Sequence, residues 1–120
     1  MTVKLNHMIV NAHDKKASAT FLAEMLGLAA PVPVGHFMAV TIDPGLTLDF
    51  CDVEGAMQPQ HYAFSVSEAE FDALLARVRQ RGLPYWADPQ QTRPDEVANR
   101  ERGRAIYFAD PSGHWLEVLT

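Results

Sequence analysis

The chain has 120 residues, 48% of them hydrophobic, which suits one globular domain with an ordinary core. A formal net charge of −5 repels phosphate backbones, so nucleic acid is not an expected partner. The lone Cys51 has no intrachain mate, no apolar run reaches the roughly 20 residues of a membrane span, and the opening MTVKLNHMIVNAHD lacks the apolar stretch of a secretion signal. The expectation is a cytoplasmic domain with no membrane contact.

Along the chain, Val3 to Val10 (VKLNHMIV) is rich in β-branched residues and predicts a strand. Asp14 to Leu26 follows as a helix, with Ala17, Phe21, Leu22 and Met25 at helical spacing and Gly27 where a C-cap glycine belongs. His36 to Ile42 and Leu46 to Cys51 then form a hairpin across Asp43-Pro44-Gly45. The pattern restarts at His61 to Val66 (HYAFSV). Ser67-Glu68-Ala69-Glu70 is a capping box, in which the serine oxygen and the glutamate side chain each satisfy a free backbone N–H. Phe71, Leu74, Leu75 and Val78 continue the helix, and Gly82 with Pro84 ends it. Arg77, Arg79 and Arg81 read as its solvated face. Arg104 to Ala109 and His114 to Leu119 make a second hairpin across Asp110-Pro111-Ser112-Gly113. The polar residues between Ala87 and Gly103 read as a long surface loop, a feature often tied to function.

The chain is therefore expected to be α+β: two βαβββ modules in a single domain, 1–120, with the first at about 1–54 and the second at about 58–120. His7 and His61 hold equivalent places in the two first strands, and Asp49 and Glu117 in the two last.

Strand side chains alternate between faces. In the final strand Leu116 and Val118 suit the helix-facing core, which turns Glu117 the other way. Leu46, Leu48 and Phe50 do the same for Asp49, and Tyr62, Phe64 and Val66 for His61, Ala63 and Ser65. The first strand is ambiguous, and His7 is placed by analogy with His61. A strand histidine taken singly is more often a satisfied, half-buried residue than a ligand. Matched placement in two repeats makes chance less plausible and sets the alternative level with it: two imidazoles and one or two carboxylates converging on a divalent first-row metal. His13, His36 and His114 lie at loop, strand-start and turn positions and are read as non-ligands.

LNHMIV, QHYAFSV and YFADPSGHWLEVL resemble the vicinal oxygen chelate superfamily, which includes glyoxalases, fosfomycin-resistance enzymes, ring-cleaving dioxygenases and bleomycin-binding proteins. The most specific part is Phe108 through Glu117. The resemblance implies paired βαβββ modules with curved sheets around a metal cleft. It also implies that His7, His61 and Glu117 hold one divalent ion (Zn, Ni, Co, Mn or Fe(II)), with Asp49 a fourth candidate. Glyoxalase I usually has glutamate at that fourth place, and aspartate is shorter by about 1.5 Å of reach.

The activity expected first is glyoxalase-like lyase or isomerase chemistry on a small substrate with vicinal oxygens, passing through an enediolate. Glu117 or Asp49 would shuttle the proton. Tyr107 and Ser65 share the ligand-bearing faces and are candidates to orient substrate, while Arg102 or Arg104 could grip a substrate carboxylate. The competing readings are an Fe(II) ring-cleaving dioxygenase, a fosfomycin-type thiol transferase, and a non-enzymatic drug-binding protein. Open strand edges favour a homodimer.

Overall fold

The computed structural model describes residues 2–120 and divides into two units, Met1–Gln58 and Pro59–Thr120. In the first, strand β1 (His7–Ala12) leads to helix α1 (Lys15–Leu26) and then to β2 (Val32–Val34), β3 (Phe37–Asp43) and β4 (Leu46–Asp52). Asp14 starts α1 by accepting the backbone N–H groups of Lys16 and Ala17. Gly27, left-handed at φ 67°, ends it, and the Leu28 N–H returns to the Ala23 carbonyl at 2.8 Å. The sheet order is β1-β4-β3-β2, with β1 parallel to β4 and the other pairs antiparallel. Helix α1 packs on β1, β3 and β4, and Val10, Ala19, Leu22, Met25, Val40 and Phe50 form a dry core there.

The second unit repeats this plan with β5 (His61–Ser65), α2 (Glu68–Gln80), β6 (Ala98–Arg100), β7 (Gly103–Ala109) and β8 (Trp115–Leu119), in the order β5-β8-β7-β6. Both halves of the capping box at Ser67 and Glu70 are made. Phe71, Leu74, Leu75 and Val78 of α2 are buried, as are Ile106, Phe108, Leu116 and Val118 on the sheet. Each such side chain contributes about 1.5–3 kcal/mol when fully removed from water. The architecture is thus the two-module α+β plan expected from the repeat. Among the described residues, no helix is long and apolar enough to cross a membrane.

Three differences from sequence patterning have plain causes. The first strand begins at His7, leaving Val3 and Leu5 exposed ahead of it. Strands β2 and β6, which patterning does not mark, are three residues each and sit at sheet edges, too short for a period-2 signal. Pro33 lies in β2 at such an edge, where no further strand needs its missing N–H. The presumed loop after Ala87 is also partly ordered against the sheet. Besides containing β6, it follows Trp86, whose backbone exchanges two 2.9 Å hydrogen bonds with Tyr107.

Candidate metal centre

The final hairpin explains why Glu117 faces as it does. Asp110 accepts the backbone N–H groups of Ser112 at 3.0 Å and His114 at 2.7 Å through one oxygen, and Gly113 adopts φ 93° to close the turn. His114 is buried, and its Nδ1 accepts the N–H of Gln60, tying the start of β5 to that of β8. It is a scaffold residue, in keeping with its reading as a non-ligand. With the turn fixed, β8 alternates regularly: Leu116 and Val118 are buried, while Trp115, Glu117 and Leu119 take the other face.

That face assembles a row across the whole sheet. His61 on β5 meets Glu117 on β8, with Nε2 to Oε1 at 3.0 Å. Tyr107 on β7 is the direct register partner of Glu117, and its ring meets His61 edge-on at 6.0 Å. Arg100 on β6 donates from one guanidinium nitrogen to the Tyr107 hydroxyl at 2.7 Å, and another stands 3.7 Å from Glu117 Oε2. Burial raises the Tyr107 phenol above its ordinary value, with Arg100 opposing the rise and the Glu117 charge adding to it. Tyr107 therefore stays a protonated donor at neutral pH. Trp115 stacks near Tyr107 at 6.5 Å and meets Trp86 at 5.3 Å, forming an aromatic wall beside the row. The indole N–H of Trp115 is buried with no hydrogen-bond partner among the described residues.

In the first unit, His7 and Asp49 lie on the face away from the core: Val10, Ala12, Leu48 and Phe50 are buried, while His7 and Ile9 are exposed and Asp49 is half-buried. His7 Nδ1 meets Asn6 Oδ1 at 2.7 Å. In the tautomer that donates from Nδ1, Nε2 keeps its lone pair for a metal, the usual outer-partner arrangement of a ligating histidine. Asp49 Oδ1 accepts the Thr47 hydroxyl at 2.9 Å, and in the β1–β4 register His7 pairs with Thr47 and Ile9 with Asp49.

The remaining candidates divide clearly. Ser65 shares the His61 face and is exposed, but it lies four residues along β5, roughly 13 Å away. Arg104 is on the opposite face. Its guanidinium binds Glu68 at 2.7 Å and Asp72 at 2.8 Å and covers the Phe71 ring at 4.4 Å, so it is committed to α2 rather than to a ligand. Strand alternation is the reason: Arg104 has the parity of the buried Ile106 and Phe108, not of Tyr107. Arg102 lies exposed in the turn between β6 and β7. Sequence reasoning missed Arg100, Trp86 and Trp115 as members of this face. For Trp115 the signal was available, two residues before Glu117 on the same strand.

The donor chemistry fits a metal. Two ligands bound at about 2.1 Å and at right angles stand about 3 Å apart, the separation of His61 Nε2 and Glu117 Oε1. Within either unit taken by itself, no group of three or more His, Cys, Asp or Glu side chains gathers among the described residues. Unit two thus brings together two side chains of metal-binding type, His61 and Glu117.

The fold, with its two sheets and two helices, is that of a protein built from two βαβββ modules. The chain belongs to the Glyoxalase/Bleomycin resistance protein/Dioxygenase superfamily, whose profile matches residues 4–118. It is 53% identical to Oxidase ChaP-H1, with a TM-score of 0.96 covering 99% of this chain and 96% of the other. It is 56% identical to Oxidase ChaP-H2, with a TM-score of 0.95 over 100% and 94%. It also resembles the glutathione transferase FosA of Serratia marcescens, 32% identical over 98% of this chain and 81% of that protein.

Proposed function

We propose that this protein is a metal-dependent oxidase of small organic molecules, using His61, Glu117 and His7 as a two-histidine-one-carboxylate ligand set. The observation that carries this reading is the 3.0 Å His61–Glu117 pair in a chain more than half identical to two oxidases over nearly its whole length. His7 is the proposed third donor, from the same chain or a second copy, with its Nε2 left free by Asn6. Asp49, whose Oδ1 accepts the Thr47 hydroxyl, is proposed to lie outside the ligand set. The glyoxalase-like isomerase expected first from sequence has weaker support than oxidation or thiol transfer, the activities named for the relatives above.

A bound divalent iron would supply oxygen activation and a Lewis-acid centre for substrate oxygens. The chain's own residues do the rest. Tyr107, kept protonated by burial and bonded to both Arg100 and Glu117, holds the proposed carboxylate ligand in place. Trp86 and Trp115 provide an apolar wall that excludes water, and the unpaired Trp115 N–H offers a second donor. In the test, iron-loaded protein is assayed for oxygen uptake with a panel of phenols, catechols and hydroxyquinones. Uptake that requires iron and is lost in His61→Ala is the expected result. Absence of uptake across the panel, together with conversion of fosfomycin by glutathione, would transfer the assignment to thiol transfer. That second reading is favoured by the similarity to FosA.

Self-association is proposed alongside. Strands β1 and β5 are terminal in their sheets, and Val3, Leu5 and Ile9 are 81%, 60% and 55% exposed. Sedimentation velocity should report a dimer at micromolar concentration; a monomer throughout would reject it.

A further inference from the structure

We propose that Arg100 is a positioning residue, holding the Glu117 carboxylate through a guanidinium bridge to Tyr107 so that the other carboxylate oxygen is presented beside His61. The inference rests on the reading of His61 and Glu117 as metal ligands and extends it to a residue that touches neither metal nor substrate.

The row follows strand order: His61 on β5, Glu117 on β8, Tyr107 on β7, Arg100 on β6. Glu117 is therefore approached from both sides. Oε1 faces the imidazole at 3.0 Å, and Oε2 faces the guanidinium at 3.7 Å. Arg100 must reach from the edge strand across β7 to β8, two strand spacings or roughly 9.6 Å, which only a long side chain can span. Its anchor on the way is the 2.7 Å bond to the Tyr107 hydroxyl. A planar guanidinium can serve two oxygens at once, whereas an ammonium is a point charge with no fixed fork. A carboxylate able to rotate would lose part of its bonds to an ion to entropy; one with a fixed cation facing Oε2 loses less. Arg100 is also poorly suited to a purely structural role. Its side chain is 46% exposed, and pairs so open to water add little to stability.

The experiment titrates Co(II) into the full chain and its variants, following the visible spectrum, which reports the donor set. Arg100→Ala is expected to weaken Co(II) binding 10- to 100-fold, the range for loss of an outer partner, with an altered band shape and a nearly unmoved thermal midpoint. Arg100→Lys should recover only part of the affinity. Wild-type affinity and spectrum in Arg100→Ala overturn the proposal. Should the wild type bind no Co(II), the ligand reading fails, and the ¹⁵N imidazole spectrum of the metal-free protein still decides the positioning claim. His61 resonances displaced by Arg100→Ala support it, and unchanged ones refute it.

Discussion

Replacing Glu117 with glutamine is expected to lower divalent-metal affinity by more than about 100-fold, beyond the range for removal of an outer partner, while leaving the fold intact. A glutamine amide oxygen is neutral and a poor ligand, so the ion loses both a bond and a balancing charge. The same change leaves His61 Nε2 only a neutral acceptor and removes the anion that faces Arg100. Stability should move little, because Glu117 projects away from the buried Leu116 and Val118. Calorimetric metal titration with a thermal melt on the same samples separates the two effects. Affinity within about threefold of wild type, some 0.7 kcal/mol, would remove Glu117 from the site.

The second large effect concerns stability rather than chemistry. Asp110→Ala is expected to cost about 2–4 kcal/mol, because two backbone N–H groups in a buried turn lose their shared acceptor. Asp110→Asn keeps an oxygen at that place and should lose well under half as much. Burial raises the Asp110 carboxyl above its ordinary value, with the bound N–H groups and His114 opposing. A raised folded value means this group's contribution is greatest below the ordinary carboxylate range and declines as pH rises through the folded value. The asparagine variant should lose that component of the pH–stability curve. Urea melts across pH measure both quantities. Equal losses in the two variants would show that the turn does not depend on the oxygen, and lost metal binding in Asp110→Asn would place this residue in the chemistry instead of the scaffold.

Much of this was legible residue by residue. The capping box at Ser67 and Glu70, the C-cap at Gly27 and the turns at Asp43-Pro44-Gly45 and Asp110-Pro111-Ser112-Gly113 are local motifs whose hydrogen bonds close within a few residues. Their outcome needs no knowledge of distant chain. The alternation of Leu116, Glu117 and Val118 likewise settles which way the carboxylate points once a strand is granted.

Arg100 and Arg104 mark where local reading stops. Both belong to a run of arginines in a polar stretch, and nothing near either one states its partner. Arg104 turns toward α2 because β7 begins at Gly103, giving it the parity of Ile106. Arg100 reaches Glu117 because a three-residue strand, too short to show a period, pairs at the edge of β7.

By itself, then, the sequence determined the repeated βαβββ plan, the caps and turns, and the face on which His61 and Glu117 lie, since all of these follow from short-range backbone geometry and side-chain periodicity. Only the tertiary structure decided that His61 touches Glu117, that Arg100 and Tyr107 stand behind that carboxylate, and that Trp86 and Trp115 wall the site. Those contacts depend on strand order and register, which are set by the packing of segments far apart in the chain.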